Sequence, residues 1–96
     1  VSEGFRGSVS RYLGLLATSI EHWRDAEQHF EDALAMNGRM RAWPWLAHTQ
    51  HDYARMLLAR HGSRDVDRAH GLLDGAVRIY LELGMESYAA RTSAIA

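Results

Sequence analysis

Ala26-Glu27-Gln28-His29-Phe30-Glu31-Asp32-Ala33-Leu34 is the stretch whose reading decides how this chain folds. Two alanines flank a phenylalanine at spacings of four and three, the rhythm of one helix face. Small residues let a second helix come close, and the ring between them fills the gap beyond. The same set returns as Ala69, Leu73 and Ala76, each displaced by 43 positions. A helix pair that cannot bury its apolar face alone buries it by stacking on a copy of itself, so the duplication predicts tandem helical hairpins.

Working outward, Val9, Tyr12, Leu13, Leu16, Ala17 and Ile20 fall three and four apart and predict a first helix over about 5–20. The second helix, about 23–37, carries Trp23, Ala26, Phe30, Ala33 and Leu34 and is expected to end at Asn37-Gly38, in a left-handed cap. Gly38 to Trp43 reads as a connection, because Pro44 suits the first turn of a third helix. That helix shows Leu46, Gln50, Tyr53, Ala54 and Leu57 and stops at the turn signal His61-Gly62-Ser63. Asp65 is expected to cap the fourth helix, which carries Val66, Ala69, Leu73, Ala76, Ile79, Tyr80 and Leu83 and is closed by Gly84. Gly71 and Gly75, four apart, suggest close approach of another helix. A fifth helix, about 86–95, has Tyr88, Ala89, Thr92 and Ile95 on one side. Leu13-Gly14 matches Tyr53-Ala54 with a displacement of 40, so the second copy holds three extra residues, expected in the turn at His61, Gly62 and Ser63. The reading is a single all-α domain over 1–96 with about five helices: repeat one about 5–37, repeat two about 44–83, and a capping or partial third-repeat helix about 86–95.

Leu13-Gly14 followed by Ala26, Phe30 and Ala33 resembles the tetratricopeptide repeat, which has Leu-Gly on its first helix and small, large, small residues on its second. The resemblance covers about residues 7–83 and implies an α-solenoid of antiparallel helix pairs. The displaced units, rich in Ala, Arg and Leu, also resemble the helical-repeat regions of large bacterial regulators that carry an ATPase core and a LuxR-type or cyclase domain. That likeness implies a protein-interaction or regulatory scaffold in a signalling or transcriptional protein, not an enzyme. The start at Val1-Ser2-Glu3 has the look of an excised piece. The competing reading is a helical DNA-binding regulator domain, whose nearest recognition stretch, Arg60 to Arg68, is diluted by Asp65 and Asp67.

Composition narrows the function classes. Eleven basic and twelve acidic residues leave a formal charge of -1, which gives no electrostatic case for nucleic acid or an anionic membrane as the main partner. Every basic residue is arginine. With no cysteine there is neither a disulfide framework nor a thiolate metal site, and a cytoplasmic setting is expected. No apolar run reaches the roughly 20 residues of a membrane span.

The candidate site follows from the resemblance, which places ligand contacts on the concave face formed by the first helix of each unit. The positions there are Arg11, Leu15 and Thr18 in the first unit and His48, His51, Arg55 and Leu58 in the second. Of these, Arg11, Thr18, His48, His51 and Arg55 are the candidate groove residues; arginine and histidine favour an acidic peptide or a carboxylate. His48 and His51, three apart with Asp52 beside them, lack a third ligand set by spacing, so no metal and no cofactor is expected. Asp25 and His29 read as an exposed ion pair. Trp43 and Trp45, flanking Pro44, are a possible interface or a staple at the repeat junction. No catalytic constellation is present in the sequence: there is no paired-carboxylate signature, phosphate-cradling loop or nucleophile elbow. Open apolar ends on the first and fifth helices predict self-association, such as a dimer formed by stacking or by exchange of helix five.

Overall fold

Five helices follow one another: α1 (Glu3–Ser19), α2 (Trp23–Arg39), α3 (Trp43–Arg60), α4 (Asp65–Glu82) and α5 (Glu86–Ser93). The computed structural model describes residues 3–95, with side chains from residue 6 onward; Val1, Ser2 and Ala96 lie outside it. No strand occurs among the described residues. Connections of three or four residues turn each helix back on the one before. The register shows the reversal. Ser10 donates to Asp32 and Gly14 lies under Phe30 across α1 and α2. Asn37 faces Thr49 and Phe30 faces Tyr53 across α2 and α3, while His48 meets Tyr80 and Arg60 meets Asp65 across α3 and α4.

The core gathers where the alanine-large-alanine sets meet. Ala26, Phe30, Ala33, Ala69 and Ala76 are fully buried, and Leu73 nearly so. The Phe30 ring stacks on Tyr53 at 5.5 Å, and a Cβ on Gly14 would stand 2.8 Å from the same ring. Glycine there is a steric requirement of the α1–α2 approach. The second hairpin has Ala54 and Leu73 at the matching positions, one methyl larger and one ring smaller, and both are buried in the same cluster. The Tyr53 hydroxyl donates to Glu31 at 2.7 Å, which satisfies the polar tip of a buried ring.

Several sequence expectations are corrected. The Val9, Leu13, Leu16 and Ile20 stripe of α1 faces outward; the packed face is Gly7, Ser10, Gly14 and Ala17. Helix packing at short distance selected small residues, which apolar periodicity does not register. α2 runs past Asn37-Gly38 to Arg39: Asn37 is buried and donates to Thr49, Gly38 is helical, and the left-handed residue is Arg41 at φ 53°. Left-handed backbone also occurs at Glu21 and His61, and at Gly84, the one left-handed glycine among the described residues. Asp65 does not cap α4 but begins it. Of the two glycines on α4, Gly75 lies against Gln50 of α3, whereas Gly71 has open space. Trp43 belongs to the first turn of α3, not to the connection, and Pro44 stands in that first turn as expected. α5 ends at Ser93, and Ile95 beyond it packs on the core.

The three extra residues of the second copy are also placed differently. Relative to the first hairpin, α3 gains one residue at its end, the connection gains one, and α4 gains one at its start. The two helical additions, Arg60 and Asp65, hold each other. Arg60 donates to both Asp65 oxygens at 2.8 and 2.9 Å and to Glu27 of α2 at 2.8 Å, and the Gly62 amide donates to Asp65 at 2.7 Å. This fork ties α2, α3 and α4 together. The Arg60 guanidinium holds the Asp65 carboxyl below its ordinary range, with the Gly62 amide adding to the effect. A depressed carboxyl contributes stability above its unfolded value of 3.8 and loses it as pH falls through the folded value.

Two predictions follow from these contacts. Gly14→Ala lowers stability by about 1–3 kcal/mol through overpacking, and Phe30→Leu in the same chain recovers part of it. Urea melts of the four proteins of that cycle are the check, and simple additivity would remove the assigned contact. Asp65→Asn flattens the acid limb of the stability–pH curve below about pH 4, measured by thermal melting between neutral and acid pH.

Candidate functional site

Successive odd-numbered helices run parallel and contact each other at a constant step. Arg11 reaches Asp52, His51 reaches Thr92, and His48 faces Tyr88, which are pairs 41, 41 and 40 positions apart. α1, α3 and α5 therefore present equivalent positions side by side. The cleft on this face is lined by Arg11, His48, His51, Asp52, Arg55, Tyr80, Tyr88 and Arg91, with a volume of about 100 Å³. That is well below the roughly 300–1,000 Å³ of pockets that enclose a small molecule or cofactor. It has room for a carboxylate-sized group.

Most polar atoms on the wall are already aimed. Arg11 Nε donates to Asp52 at 2.7 Å, with both side chains partly buried, so the single acid lining the cleft is taken by one arginine. Arg55 and Arg91 have no carboxylate within ion-pair distance among the described residues; Arg91 lies over the Tyr88 ring at 5.5 Å. Two uncompensated guanidinium groups thus face the same space. His48 Nδ1 lies 2.6 Å from the Tyr80 hydroxyl, and His51 Nδ1 lies 2.8 Å from the Thr92 hydroxyl. Burial pushes the Tyr80 hydroxyl up to about 12, so it stays protonated beside the His48 ring. Burial lowers both histidines, Arg11 adding to the effect at His48 and Asp52 opposing it in each case.

Four of the sequence candidates, Arg11, His48, His51 and Arg55, line the cleft. Thr18 does not: its hydroxyl donates to the Gly14 carbonyl at 2.7 Å, and it lines a neighbouring depression with Leu15, Ser19, Asp52, Arg55 and Ala59. Tyr80, Tyr88 and Arg91 were not anticipated. Extending the displacement of 40 from His48 and His51 onto the fifth helix would have found Tyr88 and Arg91. Trp45 joins the rim, its ring edge-on to His48 at 5.5 Å, whereas Trp43 lines a separate apolar cleft with Ile79, Glu82 and Leu83. The two tryptophans thus serve different surfaces.

Other expected arrangements are redrawn. Asp25 lies 3.7 Å from His22, not paired with His29. His48 and His51 each spend Nδ1 on a hydroxyl, and no three His, Cys, Asp or Glu among the described residues are placed to hold a metal ion. In the stretch Arg60 to Arg68, Arg60 is held by Asp65 and Glu27, and Arg68 by Glu31 at 3.2 Å. No described helix is long and apolar enough to cross a membrane. No family model, curated protein or solved structure matches the chain.

Proposed function

We propose that this chain is a protein-interaction module of the tetratricopeptide kind and that its cleft takes an acidic peptide by a carboxylate. The observation that carries the reading is the charge balance of the wall: Asp52 neutralises Arg11, and Arg55 and Arg91 are left without an acid. A carboxylate between two guanidinium groups gains charge-assisted hydrogen bonds that no described group of this chain supplies. Trp45 and Tyr88 at the rim add aromatic surface for the rest of a peptide. The constant step between α1, α3 and α5 and the burial of both alanine-large-alanine sets support the repeat reading. The natural setting is a sensing or scaffolding segment of a larger cytoplasmic bacterial signalling or transcriptional regulator, with no catalysis of its own. Engagement of Arg60 and Arg68 by acids counts against the DNA-binding alternative in that stretch.

A glutamate-rich peptide titrated into the chain tests this, with tryptophan fluorescence or calorimetry as the readout. Binding is expected to weaken about tenfold or more in the Arg55→Ala, Arg91→Ala double variant, and to fall as salt is raised. A glutamine-rich peptide of equal length should not compete, and equal affinity for the two peptides would sink the proposal.

The histidines add a pH dependence. Their folded values lie below 6.5, so stability is fully present above that value and declines as pH falls through it towards the folded values. Protonation also places positive charge on the wall. Affinity for the acidic peptide is therefore expected to rise as pH falls below 6.5 while the free protein melts at lower temperature. His48→Gln with His51→Gln should remove both trends.

A further inference from the structure

The furrow between α1 and α3 continues past the cleft at the same step. Leu15 and Arg55, and Ser19 and Ala59, are pairs 40 positions apart that line one depression together with Thr18 and Asp52. Its volume is about 320 Å³. Asp52 and Arg55 also line the cleft, so the two hollows share a wall.

What the depression can recognise follows from the hydrogens it has left to give. Thr18 spends its only hydroxyl hydrogen on the Gly14 carbonyl at 2.7 Å, and Ser19 spends its own on the Leu16 carbonyl at 2.7 Å. Asp52, the one acid among the lining residues, already accepts from Arg11 at 2.7 Å. Arg55 is the remaining side-chain donor there, and it is the residue shared with the cleft. Once a carboxylate occupies Arg55, a second polar group would give up water for no partner, and a second acid would stand beside Asp52. An aliphatic group loses nothing by entering and covers Leu15 and Ala59, both exposed.

Spacing sets where on a ligand that group sits. Arg55 and Ala59 are one turn apart, about 6 Å along α3. In an extended peptide, side chains two residues apart share a face at about 7 Å, whereas adjacent ones point to opposite faces.

We propose that this depression takes an aliphatic side chain of the same acidic peptide, two residues from the carboxylate held by Arg55 and Arg91. The inference rests on the carboxylate reading of the cleft and adds the second residue that a ligand must carry. Leu15 and Ala59 then set specificity, with Thr18 contributing its methyl group.

Peptides with one glutamate in a glycine-serine background test this by calorimetry, with leucine or serine placed two residues before or two residues after the acid. Leucine on one of the two sides should bind about tenfold more tightly than serine at the same place. Leucine adjacent to the acid should give no such gain. Leu15→Gln and Ala59→Gln, both at exposed helix positions, should each cut the leucine-to-serine ratio to about twofold or less, with unchanged circular dichroism. Glutamate peptides that bind with a ratio near one overturn the aliphatic subsite while leaving the carboxylate reading in place. A leucine gain that survives both substitutions, or that is equal at the adjacent position, puts the side chain on another surface and also overturns it. If no glutamate peptide binds, the carboxylate reading fails and takes the subsite with it.

Discussion

Everything in this fold hangs on the Phe30 ring, held between Gly14 on one side and Tyr53 on the other. A single side chain thereby sets the distance of α1 from α2 and the distance of α2 from α3. Had residue 14 a side chain, α1 would stand off; without an aromatic at residue 30, a void would open beside a fully buried Tyr53. The placement of α1 is what brings Arg11 to Asp52, and that ion pair forms one wall of the cleft. Packing chosen for volume and a site chosen for charge are thus linked through one ring.

The core was readable where burial demands large or small apolar groups at helical spacing. Ala26, Phe30, Ala33 and their displaced copies marked the second and fourth helices, and Pro44 and Gly84 marked boundaries, because both residues carry their backbone preference with them. Reading failed where the determining groups are weakly apolar or polar. The inner face of α1 is glycine, serine and alanine, so the eye follows the outer leucines instead. The buried polar groups were equally silent. Asn37 looked like a cap, yet it is locked inside by Thr49, whose hydroxyl in turn donates to the Trp45 carbonyl at 2.8 Å.

At the site, arginine and histidine on α1 and α3 were legible because equivalent positions of a repeat share a face. Tyr80 was not, since it comes from α4 and reaches the cleft only through its hydroxyl contact with His48. Nor was the bond from His51 to Thr92, because a threonine on a helix gives no hint of which partner it will meet. Charge state is likewise a property of assembly: the neutral histidines arise from burial between α3, α4 and α5 together.

The connections show what directs the chain's course. Glu21, Arg41 and His61 hold left-handed backbone at φ 59°, 53° and 57°, a conformation that disfavours residues with side chains by about 1–2 kcal/mol each. Local preference therefore opposes three of the four reversals, and docking of the helices imposes them. Only the bend at Gly84 agrees with its own residue. The first three connections thus add a local cost that the docked helices must offset, whereas the connection at Gly84 carries none.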